Sequence, residues 1–105
     1  NLRNAVHAED PRPIQEGCGC YACVHFSRAY LRHLTMSQEI LGVYLRTLHN
    51  VHFLLQLMRE LRDAILCGEF ATYRQDFLAR YRVADGQARA DNRRARQARL
   101  SGRGR

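Results

Sequence analysis

Lysine is absent from this 105-residue chain: all 17 basic side chains are arginines, set against 10 acidic residues for a formal charge of +7. Long apolar runs are absent as well. The strongest, residues 51–58, is interrupted by His52 and Gln56 and falls far short of the roughly 20 residues of a membrane helix, which excludes a transmembrane protein. The first ten residues carry Arg3, His7, Glu9 and Asp10 without the apolar centre of a secretory signal. No Met stands at position 1, so a fragment or a processed chain is expected. Proline occurs only at 11 and 13, which marks residues 8–17 as a loop. The length allows one small domain.

Charge is unevenly spread. Residues 1–87 hold ten Arg against nine acids, whereas residues 88–105 hold seven Arg against Asp91 alone. That C-terminal block repels itself, has Leu100 as its one large apolar group, and ends in Ser-Gly-Arg-Gly-Arg, so it cannot bury enough surface to offset the entropy of ordering. Residues 82–105 are therefore expected to be an Arg-rich disordered tail, either a solubilising extension or a phosphate-binding arm for RNA. About 80 residues are left to build a core, and chains of that size often rely on disulfides, metals or a partner.

Only four cysteines are present, and three fall within six residues: Cys18, Cys20 and Cys23, with Cys67 far along the chain. A disulfide framework fits poorly, because Cys18 and Cys20 are too close to bridge comfortably and a secreted scaffold usually spaces its cysteines more widely. Three clustered thiolates, with Gly17 and Gly19 giving the backbone freedom for a tight turn, suit a tetrahedral zinc ion instead. A closed site needs a fourth ligand, and His7, His25, His33, His49, His52 and Cys67 are the candidates. Spacing does not choose among them. His49 shares a four-residue repeat with Leu41, Leu45 and Phe53, His52 lies on the stripe of Leu48 and Leu55, and His25 would close a compact knuckle.

Breakers and periodicity give a mainly α map. Residues 1–7, with Leu2 and Val6, read as a short strand whose partner lies outside the chain. Ser27 is a good N-cap for a helix over 28–34, and Ser37 for another starting at Gln38. Asn50 either caps a third helix or marks a kink, and the apolar pattern continues to Cys67, where Gly68 is a natural stop. A last helix over 69–81 carries Phe70, Tyr73, Phe77 and Tyr81. Asp10, Asp63, Asp76, Asp85 and Asp91 form no nucleophile and acid/base pair, and none is assigned a catalytic role. Arg28, Arg32 and Arg46 are either phosphate contacts or solvated helix surface, and Cys67 reads as a half-buried apolar residue.

Several stretches together resemble the C-terminal zinc-binding region of bacterial-type tRNA-guanine transglycosylase, or queuine tRNA-ribosyltransferase: Asn-Leu-Arg-Asn-Ala at 1–5, Cys18-x-Cys20-x-x-Cys23, Ser-Arg-Ala-Tyr-Leu-Arg-His-Leu at 27–34, Glu-Ile-Leu-Gly at 39–42 and His49-Asn50. The resemblance covers residues 1–81. One local departure is Ser37-Gln38, where the family more usually has a small residue and Gly. The likeness implies a small zinc-knotted helical subdomain, normally attached to a (β/α)8 barrel absent here, and one structural zinc held by Cys18, Cys20, Cys23 and His49. It further implies a cytoplasmic, dimeric enzyme that exchanges guanine for a 7-deazaguanine at the tRNA wobble position, with every catalytic residue in the missing barrel. Phe26, Tyr30 and His33, at i, i+4 and i+7, would form an aromatic stripe that is either part of the interface with the second subunit of a homodimer or ordinary core. The other reading is a stand-alone zinc-dependent module that binds RNA or protein without catalysis.

Overall fold

The computed structural model describes residues 1–81 and residue 94; the expected tail over 82–105 otherwise lies outside the described residues. A 3-10 helix, Ala5–His7, is followed by α1 (Tyr21–His25), α2 (Arg28–Met36), α3 (Ile40–Leu66) and α4 (Phe70–Arg80). The described residues contain no strand, so the mainly helical class holds and the expected N-terminal strand does not. Asn side chains explain the difference. The Asn1 side chain accepts the Arg3 amide at 3.1 Å and the Asn4 side chain accepts that of Val6 at 3.4 Å, so each asparagine closes a local turn where a strand would need those amides for a neighbour.

Two compact units are distinguished, Asn1–Asp63 and a second starting at Ala64. The first holds the core: Cys20, Ala22 and Cys23 from the Cys loop and α1, Leu31 and Leu34 from α2, and Leu45 from α3, with Leu2, Ile14, Cys18 and Phe26 packed against them. The start of α2 shows how the loop over 8–17 belongs to this core. The first four backbone N–H groups of a helix have no partner within it, and here three of them find one: Arg28 N–H donates to the Arg12 carbonyl at 2.8 Å, Ala29 N–H to that of Asp10 at 3.0 Å, and Tyr30 N–H to the Ser27 hydroxyl at 3.2 Å. Ser27 is thus the expected N-cap. At the other end α2 and α3 come close at Gly42, where an added Cβ would lie 2.9 Å from Leu34 Cβ and 3.2 Å from the Leu34 carbonyl carbon.

Ser37 does not start α3, as its residue type suggested, but ends α2. Gln38 takes φ +58°, its N–H donates to the Thr35 carbonyl at 3.4 Å, and Glu39 N–H reaches back to the Leu34 carbonyl at 2.9 Å. This is a Schellman ending, with Gln in the left-handed position that Gly favours. Asn50 is an interior residue of the continuous α3 and caps no third helix. In the second unit, α3 ends on the same motif with Gly68 at φ +73°: Gly68 N–H donates to the Ile65 carbonyl and Glu69 N–H to that of Ala64. Along α4, Tyr73 and Phe77 stack at 6.2 Å between ring centres, and Phe77 and Tyr81 at 5.2 Å.

Candidate metal centre

The three cysteines are positioned by one turn of chain and one short helix. Cys20 is the N-cap of α1, its sulfur accepting the Cys23 backbone N–H at 3.4 Å, while Cys23 lies inside the helix. Cys18 lies between Gly17 (φ +76°) and Gly19 and is partly exposed. From the opposite side α3 brings in His49, 7% exposed, one turn beyond the fully buried Leu45. All four cysteines of the chain are free thiols.

His49 Nδ1 faces the three sulfurs, at 3.8 Å from Cys18, 3.5 Å from Cys20 and 3.3 Å from Cys23. Zinc bonded at about 2.3 Å to sulfur and about 2.0 Å to nitrogen, at tetrahedral angles, places sulfur and nitrogen about 3.5 Å apart and two sulfurs about 3.8 Å apart. The observed nitrogen–sulfur distances straddle the first figure. All four donor atoms lie within 4.8 Å of one another, so the widest pair needs to close by no more than about 1 Å.

The electrostatics also call for a cation. Burial pushes the Cys20 thiol up, but the Cys23 amide, the neighbouring thiols and the Ala22 amide outweigh it and leave the group below its ordinary value. Burial drives Cys23 the other way, up to about 11. Crowded sulfurs cannot all ionise unaided, and a dication removes that conflict. His49 is held below its ordinary value by burial and secondarily by His52, which favours the neutral imidazole that binds a metal. The set fits one zinc ion. With four protein ligands it leaves no open position, so such an ion stabilises the fold and activates no water.

The other expected donors stand apart. His25 is exposed on α1, its ring 4.4 Å from that of Tyr21. His52 is half-buried and lines a cleft of about 410 Å³ with Cys18, Gly17, Gly19 and Gln56. His33 and Cys67 are exposed, and Cys67 is not the half-buried residue expected from its type. Phe26 also departs from expectation. It is the extended C-cap residue of α1 and packs against the core, so only Tyr30 and His33 share α2; the Phe26 and Tyr30 rings nevertheless stack at 5.4 Å.

A second cluster, around Asp10 in the loop over 8–17, is not evident from the sequence. Its buried carboxylate accepts Arg12 Nε at 2.9 Å, Arg12 Nη2 at 2.9 Å and Arg28 Nη1 at 3.1 Å, with His7 Nδ1 at 3.6 Å. The Arg12 guanidinium, supported by Arg28, holds the carboxyl well below the usual carboxylate range. Arg28 also donates to the Pro13 and Ile14 carbonyls. Its guanidinium is thus engaged in holding the fold. Arg32 Nε likewise donates to the Asn4 carbonyl, and Arg46 Nε to that of Gly42. The signal was the pair Asp10 and Arg12 around Pro11.

A family model described as queuine tRNA-ribosyltransferase matches residues 1–83, a span that contains all four donors. The chain belongs to the queuine tRNA-ribosyltransferase family. It is 51% identical over 88 residues to a queuine tRNA-ribosyltransferase of Symbiobacterium thermophilum, covering 84% of this chain and 22% of that protein. To the queuine tRNA-ribosyltransferase of Ralstonia nicotianae it is 54% identical over 78 residues, 74% of this chain and 20% of the relative. To that of Neisseria gonorrhoeae it is 53% identical over 76 residues, again 20% of the relative. The chain thus spans about a fifth of the length of the curated relatives it matches. Among its described residues no helix is long and apolar enough to cross a membrane.

Proposed function

We propose that this chain serves as the zinc-binding C-terminal region of a cytoplasmic tRNA-guanine transglycosylase, the enzyme that exchanges guanine for a 7-deazaguanine at the wobble position of its tRNAs. The observation that carries the reading is the convergence of Cys18, Cys20, Cys23 and His49 in a chain of this family. Their role is to hold one zinc ion that ties the Cys loop to α3. Catalysis belongs to the remaining four fifths of such a protein, and no residue of this chain takes part in it. Reduced thiolates suit a cytoplasmic setting.

Two surfaces support attachment to larger neighbours. Val43, Tyr44, Val51, Leu54, Leu55 and Met58 of α3 are each 50% exposed or more, more apolar surface than an isolated small domain usually leaves uncovered. Around the stacked Phe26 and Tyr30 lies an open cleft of about 660 Å³ that also includes Pro11 and Pro13. We assign Phe26, Tyr30 and His33 to the contact with the second subunit of a homodimer, where one subunit holds tRNA for the chemistry of the other. Elemental analysis and circular dichroism test the metal role: one zinc per chain, with helix lost on chelation, is expected. No zinc with helices intact would overturn it. For the interface, replacing Tyr30 and His33 with Ala in the full-length enzyme should shift the dimer toward monomer at unchanged zinc content. Unchanged sedimentation would return both residues to ordinary surface.

A further inference from the structure

The four donors of the metal centre are not held alike. Cys20 is fixed as the helix cap of α1 and is 4% exposed, Cys23 lies within that helix at 8%, and His49 is anchored on α3 at 7%. Cys18 alone is on a loop, between two glycines, and an added Cβ at either would meet no atom within 4 Å. Among the described residues one main-chain hydrogen bond holds Cys18, from its N–H to the Gln15 carbonyl at 3.3 Å, while its half-buried side chain touches the edge of the core. Cys18 also lines the 410 Å³ cleft, where Cys20, Cys23 and His49 do not. Cys23 borders the other cleft, but it is a nearly covered helical residue there.

Thiolate reactivity follows access and freedom to move as well as charge. We propose that Cys18 is a modification site for peroxide-class oxidants, through which the chain exchanges its zinc for a Cys18–Cys23 disulfide. The inference rests on the zinc-binding reading above. In the first step the Cys18 thiolate attacks one peroxide oxygen; an S–O bond forms, the O–O bond breaks, hydroxide leaves, and sulfur is oxidised by two electrons. The Cys23 thiolate then attacks the Cys18 sulfenic sulfur, forming the S–S bond and expelling a second hydroxide. Both hydroxides take protons from water or buffer, so one peroxide is reduced for each disulfide formed. Cys23 is the resolving residue because the Cys18 and Cys20 pair, one residue apart, is poorly placed to bridge. The two ligands that remain, Cys20 and His49, are too few to retain zinc.

The test uses the full zinc-loaded chain carrying Cys67→Ser, which removes the exposed thiol outside the centre. Zinc content is measured first, then sub-stoichiometric hydrogen peroxide is added with dimedone to trap sulfenic acid, or without it while a chromophoric indicator follows the released metal. Dimedone should mark Cys18 over Cys20 and Cys23 by on the order of tenfold. Without dimedone, one zinc should be released per Cys18–Cys23 cross-link found by peptide mass spectrometry, and dithiothreitol with zinc should restore the loaded form. Label spread evenly over the three cysteines, a Cys20–Cys23 cross-link, or zinc retained through oxidation would each overturn the inference while leaving the zinc reading intact. A chain that holds no zinc before peroxide is added would overturn both.

Discussion

The segment between the 3-10 helix and α1 is tied down twice, by unlike means. Near its start, Asp10 gathers Arg12 and Arg28 and lends its carbonyl to the first turn of α2. Near its end, three sulfurs meet His49 across 26 to 31 residues of chain. The first knot needs no ion, because two guanidinium groups share one carboxylate and carry enough donors to satisfy it and nearby carbonyls. The second is incomplete without an ion, because its donors repel one another once ionised. A chain with so small a core therefore has one fixed anchor and one that depends on metal supply and redox state.

Breaking the metal-dependent anchor should have the largest effect. Structural zinc contributes folding free energy on the order of 10 kcal/mol, comparable with the whole stability of a small domain. His49→Ala should abolish stoichiometric zinc and most of the helical circular dichroism, whereas His52→Ala, which alters a residue lining the neighbouring cleft, should keep both. Zinc lost in the second variant and kept in the first would reverse the ligand assignment.

The carboxylate anchor should show a smaller effect with a different pH dependence. Asp10→Asn leaves two guanidinium groups facing a neutral amide, so the zinc-loaded chain should melt at lower temperature while still binding one zinc. Since the Asp10 carboxyl is held below its ordinary value, its contribution is complete above the unfolded value near 4 and is lost only as pH falls through the lower native value. The difference in melting between the two proteins should accordingly not shrink between pH 8 and pH 6. A difference that shrinks between those values would mean that the carboxylate titrates there and is not paired as described.

The metal anchor also depends on how closely α2 approaches α3, and Gly42 sets that distance. Alanine there would gain up to about 1 kcal/mol of helix propensity, but its Cβ would press on Leu34 Cβ and on backbone, an overpacking that costs about 1–3 kcal/mol. The strain should win. Gly42→Ala should lower stability by about 1–2 kcal/mol in denaturant titration with zinc in excess; a stabilised variant would show that the helices part freely.

How much of this was legible beforehand depended on how local the cause was. The three cysteines carry their chemistry in their spacing, and Ser27, Gly68 and the apolar repeat of α3 act through neighbours in sequence, so these features could be read directly. The choice of His49 over His52 could not, because both lie on plausible faces of one helix and only the fold decides which one meets the sulfurs; family resemblance supplied it. Asp10 was missed because its second partner, Arg28, is 18 residues away. The strand expected for residues 1–7 from Leu2 and Val6 fails for a local reason: the side chains of Asn1 and Asn4 capture amides that a strand would use.

Ser37 and Gln38 also depart from the expected helix start, and they yield the smallest and most specific test. The two Schellman endings make the same pair of hydrogen bonds, yet one has Gly68 in the left-handed position and the other Gln38. For a residue with a Cβ that conformation costs about 1–2 kcal/mol, and Gly gives back part of the difference through its greater freedom in the unfolded chain. Gln38→Gly should therefore stabilise the zinc-loaded protein by about 0.5–1 kcal/mol, while Gly68→Ala should destabilise its own helix end. Zinc stoichiometry should not change in either variant. A loss of stability in Gln38→Gly would mean that the Gln38 side chain contributes more to this turn than its left-handed backbone costs.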